Sequence, residues 1–283
     1  MKSERAMGLE TVGPADWSEL SIARPPARPE PVTRATAASP LTPHQTTPTQ
    51  PAPVQAVAAP AIAPSPPASE PFLSPILSIE DRRLRLFAMD DGEVRGCTKC
   101  GLCHSRTHTV FGEGAVDARL MFIGEGPGHT EDQTGRPFVG PAGMLLDRMI
   151  GAMGLRREQA YIANVVKCRA HLPGPPAKDR APAPEEVAAC SPYLERQVEI
   201  IRPEVIVTLG VPASQFVLST RLSMSRLRGN WHTWHGVAVM PTWHPSYLLR
   251  CEKEGNLEPK RQAWSDLQKV MAHLGLIPPK KSA

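Results

Sequence analysis

Four short apolar runs, each bounded by turn residues, organise the chain beyond its first hundred residues: ARLMFIG at 118–124, AYIANVV at 160–166, PEVIVTLG at 203–210 and GVAVMPT at 236–242. Runs of this length and composition predict buried strands. Helical spacing falls between and around them. Residues 79–95 predict a charged helix, and Met144, Leu145, Met149 and Met153 recur at helical intervals over 141–153, with Pro141 suited to the first turn. A helix over 212–218 follows the third run, and Trp264, Leu267, Val270 and Met271 mark the buried side of a helix over 259–273. Strands alternating with helices predict an α/β fold, a three-layer αβα sandwich around a central, mostly parallel four-stranded sheet. Such sheets bind ligands at the carboxyl ends of their strands. GEGPG (124–128), NVVKC (164–168) and WHPSYLL (243–249) each end or follow an apolar run, so one sheet edge can gather all three.

Composition sets the limits of this domain. Sixteen of the 32 prolines lie in the first 76 residues, and 33–67 is almost wholly Ala, Pro, Thr, Gln and Ser. With few large apolar side chains, residues 1–76 read as a disordered Pro/Ala-rich tail. The tail is either a flexible spacer or a tether for a repair or replication partner. Residues 77–283 then form one domain, expected to be monomeric. The tail carries five basic and six acidic residues, which leaves the domain 27 basic against 22 acidic and open to a polyanionic partner. No apolar run approaches the ~20 residues that span a bilayer, and the N-terminus lacks a secretory apolar core, so a cytoplasmic protein without a membrane partner is expected.

Six cysteines in such a chain point to ligands or core residues rather than disulfides. Cys97, Cys100 and Cys103 form C-x2-C-x2-C, Cys168 and Cys190 follow, and Cys251 stands apart. Two thiolates from one tight loop, completed by two from distant loops, close a tetrahedral site for zinc or an iron–sulfur cluster. Spacing alone leaves open which members of the triplet are ligands, and which metal they hold.

GEGPG lets the backbone turn sharply and approach a ligand, yet it lacks the Lys and Ser/Thr of a phosphate-binding loop. Taken with VFGEG (110–114), LMFIGEGPG (120–128), EDQTGRPFVGPAG (131–143), NVVKCR (164–169) and WHPSYLLR (243–250), it resembles the family four uracil-DNA glycosylases over residues 95–272. The resemblance implies base excision from single- or double-stranded DNA in the bacterial nucleoid. It also implies a four-iron, four-sulfur cluster rather than zinc, held by Cys97, Cys100, Cys168 and Cys190 in a structural role.

The same resemblance implies the site. An enzyme cutting an N-glycosidic bond must flip the nucleotide out of the stack and read its Watson–Crick edge. His244 matches the histidine that faces a uracil carbonyl, Asn164 the amide that reads the pyrimidine edge, and Phe138 the ring that stacks on the base. Gly126 stands where the best-known uracil glycosylases carry a water-activating aspartate, which leaves Glu125 and Glu131 as the candidate carboxylates. His129 and Thr130 replace two acids of the family pattern. Lys167, Arg169, Arg228 and Arg250 are candidate phosphate partners, and Ser246 and Tyr247 candidate groove contacts. The Pro-rich segment 171–184 is expected to be a semi-rigid surface loop reaching DNA through Lys178 and Arg180. No lysine lies in a nucleophile motif, so monofunctional excision is expected. The alternative is a superfamily member that binds uracil-containing or abasic DNA without turnover. Such relatives carry a basic insertion and lack the cysteine at this point, whereas Cys168 is present here.

Overall fold

The structure is a computed structural model that describes residues 70–72, 74–175 and 177–277. Its sheet has six strands in the order β1-β3-β2-β4-β6-β5. These are β1 (Glu113–Gly114), β2 (Leu120–Gly124), β3 (Tyr161–Asn164), β4 (Val205–Leu209), β5 (His232–Trp234) and β6 (Val237–Thr242). The four apolar runs form the parallel centre, β3-β2-β4-β6, and the short β1 and β5 add antiparallel edges. The expected four-stranded sheet is thus the middle of a larger mixed one.

Every residue of β2, β3 and β4 is buried, as strands covered on both faces require. Side chains alternate across the sheet. Met121, Ile123, Ile206 and Val239 share one core with Leu86 and Met89 of α1 (Ile79–Met89) and Leu194, Val198 and Ile201 of α4 (Pro184–Ile201). On β6 packs α8 (Glu258–Leu274), which buries Ala263, Leu267, Val270 and Met271. The expected helix over 79–95 is α1 followed by a π-helical turn at Asp90–Val94. Those over 141–153 and 212–218 are α3 (Pro141–Ala152) and α5 (Val211–Val217). Shorter helices α2 (His129–Thr134) and α6 (Met224–Leu227) lie in connections, and α7 (Pro245–Lys253) follows β6.

Residues 70–72 and 74–76, which composition assigns to the tail, pack on the domain. Phe72 stacks on His235 with ring centroids 4.5 Å apart, and Arg202 donates to Phe72 O (2.9 Å) and Ser74 O (2.7 Å). The rest of the predicted tail lies outside the described residues. No described helix is long and apolar enough to cross a membrane.

Parallel register places the strand ends together. Gly124 pairs with Asn164 and Leu209 with Thr242, while Gly210 N donates to Thr242 O (2.9 Å). The GEGPG loop, the NVVKC stretch and His244 therefore leave the sheet side by side.

Candidate active site and cysteine cluster

One pocket opens at this edge, lined by Glu125, Gly126, Glu131, Phe138, Asn164 and His244, with Arg180 and Ser246 towards its mouth. The strands deliver the side chains and small residues make the room. A Cβ on Gly124 would stand 2.4 Å from Asn164 Oδ1 and 2.6 Å from Phe138 Cζ, so only glycine at the end of β2 lets both walls approach. The loop itself is fixed by Val165 N donating to Gly124 O (2.9 Å) and Val166 N to Glu125 O (3.1 Å).

Asn164 is 1% exposed, and its Oδ1 is buried without a hydrogen-bond partner, as is Glu125 Oε1. Buried polar atoms are almost always satisfied, so two orphans facing one pocket mark where a ligand's polar groups belong. Burial raises the Glu125 carboxyl above the usual carboxylate range.

His244 caps α7. Its Nδ1 accepts from Ser246 N (3.1 Å), and Pro245 fills the first helical position. Burial lowers its pKa to about 4, against a smaller opposing influence of the Glu131 charge. The imidazole is therefore neutral near pH 7. A backbone N–H can only donate, so Nδ1 is the acceptor and the ring proton sits on Nε2, a donor for a pocket ligand. The Phe138 and His244 rings lie 5.7 Å apart, and Phe138 is 6% exposed.

Glu131 lines the pocket and also braces it. Its Oε1 accepts from Val139 N (2.9 Å) and Gly140 N (2.8 Å), which anchors the turn entering α3. Glu125, the other candidate carboxylate, carries the unpartnered buried oxygen.

Three basic residues expected at the DNA surface are turned inwards. Lys167 is 1% exposed and donates to Asn164 O (2.8 Å) and Gln197 Oε1 (2.6 Å). Burial lowers its pKa to about 8. Arg169 is held by Asp179 (2.6 Å), His129 and Ala177 O. Arg228 forms a fork with the fully buried Asp266 (2.6 and 3.1 Å), which also accepts from Thr242 Oγ1 (2.7 Å). These groups brace the strand ends and the Pro-rich segment. Arg180 is likewise paired with Glu186, at 2.7 and 2.8 Å, although it reaches the pocket wall. Ser246 lines the pocket and is exposed, and on the same helix the exposed Arg250 guanidinium lies 5.7 Å from the Tyr247 ring centre.

Behind the NVVKC stretch, Cys97, Cys100, Cys168 and Cys190 line a single small cavity, and Cys103 does not. Donors surround the sulfurs: Lys167 N to Cys190 Sγ (3.2 Å), Arg106 Nη1 to Cys168 Sγ (3.5 Å) and Tyr193 Oη to Cys97 Sγ (3.6 Å). Burial raises the Cys168 thiol to about 11 even against Arg106, so binding a metal here must release protons. Among the described residues no three His, Cys, Asp or Glu side chains converge tightly enough for one metal ion. The four thiols line that one cavity, an all-sulfur donor set of the kind that zinc or an iron–sulfur cluster takes.

Comparison with known proteins agrees with this geometry. Residues 111–268 match the uracil DNA glycosylase superfamily. The type-4 uracil-DNA glycosylase of Thermotoga maritima is 47% identical over 194 residues, 68% of this chain and 96% of that protein. That of Sulfurisphaera tokodaii is 45% identical over 166 residues, covering 56% of this chain and 73% of that protein. The type-5 uracil-DNA glycosylase of Pyrobaculum aerophilum is more distant, at 32% over 152 residues, covering 48% of this chain and 64% of that protein. Sheet, pocket and relatives lead to one conclusion: the chain belongs to the uracil DNA glycosylase superfamily and is a glycosylase of its type-4 branch.

Proposed function

We propose that this protein removes uracil from DNA by hydrolysing the N-glycosidic bond, leaving an abasic site, with the pocket residues in the roles that follow. The observation that carries the reading is the pair of unpartnered buried oxygens, Asn164 Oδ1 and Glu125 Oε1, sharing one pocket with a neutral histidine.

A flipped uracil lies against Phe138. Asn164 reads its edge, because a carboxamide can donate to a carbonyl and accept from the ring N–H, and the crowded strand end holds that amide in place. His244 donates from Nε2 to a uracil carbonyl. As the bond breaks, negative charge grows on the base and positive charge on the sugar. A neutral donor already aimed at the carbonyl gains strength as that charge develops. Glu125 positions the attacking water. Glu131 contributes its negative charge near the sugar while its oxygen holds the loop, and Gly126 leaves the space a larger side chain would fill. Among the described residues no lysine lines the pocket, in keeping with excision without strand cleavage.

Cys97, Cys100, Cys168 and Cys190 would hold a four-iron, four-sulfur cluster whose contribution is structural. It would cross-link the segments carrying Cys97 and Cys100, the connection after β3, and α4. Ser246, Tyr247 and Arg250, beside the pocket mouth, meet DNA where the base leaves the stack. Residues 77–283, with 70–72 and 74–76 packed on them, act as the glycosylase unit, monomeric and cytoplasmic at the nucleoid, and the stretch before them is a spacer or tether.

Single-turnover excision and binding to DNA carrying an abasic-site analogue separate these roles. His244→Ala should lose excision by at least roughly a hundredfold, on the scale of a lost electrostatic donor, and keep its affinity for abasic DNA. Equal loss of both would assign the histidine to the DNA interface instead.

A further inference from the structure

The ring wall of the pocket is held in a conformation it would not choose. Phe138 has φ 50°, in the left-handed region unfavourable for any residue with a Cβ. Its neighbours are clamped from both sides. Glu131 Oε1 takes the amides of Val139 and Gly140. Arg157 donates from Nη2 to Pro137 O and from Nη1 to Phe138 O (3.1 Å). Beneath them, a Cβ on Gly143 would stand 1.9 Å from Phe138 O, so the bend also requires glycine in the first turn of α3.

Arg157 is itself braced. Nε donates to Glu113 Oε1 (2.8 Å), on the edge strand, and Nη1 to Asp147 Oδ1 (2.6 Å), on α3. Its side chain is only 14% exposed. One planar guanidinium therefore joins β1, α3 and the Phe138 turn through four rigidly spaced N–H groups. A lysine, a point charge on a flexible stem, cannot serve two carbonyls and two carboxylates in that geometry.

We propose that Arg157 is a positioning residue for base recognition: it locks Phe138 in the left-handed conformation, with Glu113 and Asp147 holding the guanidinium, so that the ring remains a fixed stacking face. The proposal rests on the reading of Phe138 as the stacking partner. Arg157 touches neither base nor sugar and acts only through that backbone.

The test compares Phe138→Ala, Arg157→Met, Arg157→Lys and the double variant Phe138→Ala/Arg157→Met in the full-length protein. Two readouts are used: inhibition by free uracil, and affinity for DNA carrying an abasic-site analogue. Arg157→Met should weaken uracil inhibition roughly tenfold, the scale of one lost base–aromatic stack. Phe138→Ala should do the same, and the double variant should be no worse than either single one, because both remove the same contact. Abasic-DNA affinity should stay within about twofold, the behaviour of an uncoupled site. Arg157→Lys should resemble Arg157→Met, and stands in for it if the methionine variant does not fold.

Additive losses in the double variant would overturn the proposal, as would equal loss of uracil and abasic-DNA binding. Unchanged uracil inhibition in Arg157→Met or Arg157→Lys, with a clear loss in Phe138→Ala, would overturn it while leaving the stacking reading intact. Unchanged inhibition in Phe138→Ala would overturn the stacking reading and the proposal together.

Discussion

His244 should remain neutral well below the pH at which an ordinary histidine charges. Burial at the start of α7 lowers its pKa from 6.5 to about 4, a preference for the neutral ring of about 3 kcal/mol at ~1.4 kcal/mol per unit. At pH 5.5 an unperturbed imidazole would be about nine-tenths protonated, and this one only a few per cent. The assay is a long-range proton–nitrogen NMR titration of the histidines, with the His244 signal identified by its loss in His244→Asn. It should report the Nε2–H tautomer and no titration above pH 5. Excision should show an acid limb set by Glu125, whose carboxyl burial raises, because burial disfavours the charged form of both groups. Glu125→Gln should abolish that limb along with most of the rate. The unfolded chain binds the His244 proton below about pH 6.5 and the folded one only near pH 4, so this residue's contribution to stability falls as pH drops through that window. A His244 titration near pH 6.5, or a proton on Nδ1, would refute the reasoning.

Gly124→Ala places a methyl 2.4 Å from Asn164 Oδ1, and its displacement of the edge-reading amide should cost roughly a hundredfold in single-turnover rate. Retained excision would show that the walls can shift freely. Arg228→Ala leaves the buried Asp266 unpaired and should lower stability in denaturant melts by about 3 kcal/mol. Unchanged stability with weaker DNA binding would return Arg228 to the interface. Cys190→Ser should lose bound iron measured by metal analysis and Cys103→Ser should keep it, since only the former lines the shared cavity; iron retained by the first or lost by the second would contradict the ligand set. Deleting residues 1–69 should preserve activity, whereas extending the deletion through 77 removes Phe72 from His235 and Arg202 and should lower the melting temperature. A large activity loss from the shorter deletion would give the tail a catalytic part.

The centre of the sheet was legible because a strand buried on both faces must be apolar throughout, and four such runs stand out. Edge strands of two and three residues carry no such pattern. The helix α4 was concealed by Pro192 in its interior and by the proline-rich stretch before it, even though Tyr193, Leu194, Val198 and Ile201 bury one face. Asn164 and His244 stand in motifs at strand ends, where an α/β sheet presents its ligands, whereas Phe138, in the turn between α2 and α3, was suggested by the family resemblance alone. Residue type misleads at Lys167, Arg169 and Arg228. A basic side chain suggests a surface, and only the folded chain shows that Gln197, Asp179 and Asp266 await them. Nothing in the local sequence marks Arg157, because the two carbonyls that it holds are 19 and 20 residues away.

The central claim is that this pocket cuts the bond between uracil and deoxyribose. The direct measurement uses an end-labelled oligonucleotide with a single uracil, incubated with the iron-loaded protein beside a thymine control, and divided before alkali treatment. The account predicts scission at the uracil only after alkali, with none in the thymine strand. Scission without alkali would contradict hydrolysis as the sole step, and an uncut uracil strand that nevertheless binds the protein tightly would contradict turnover itself.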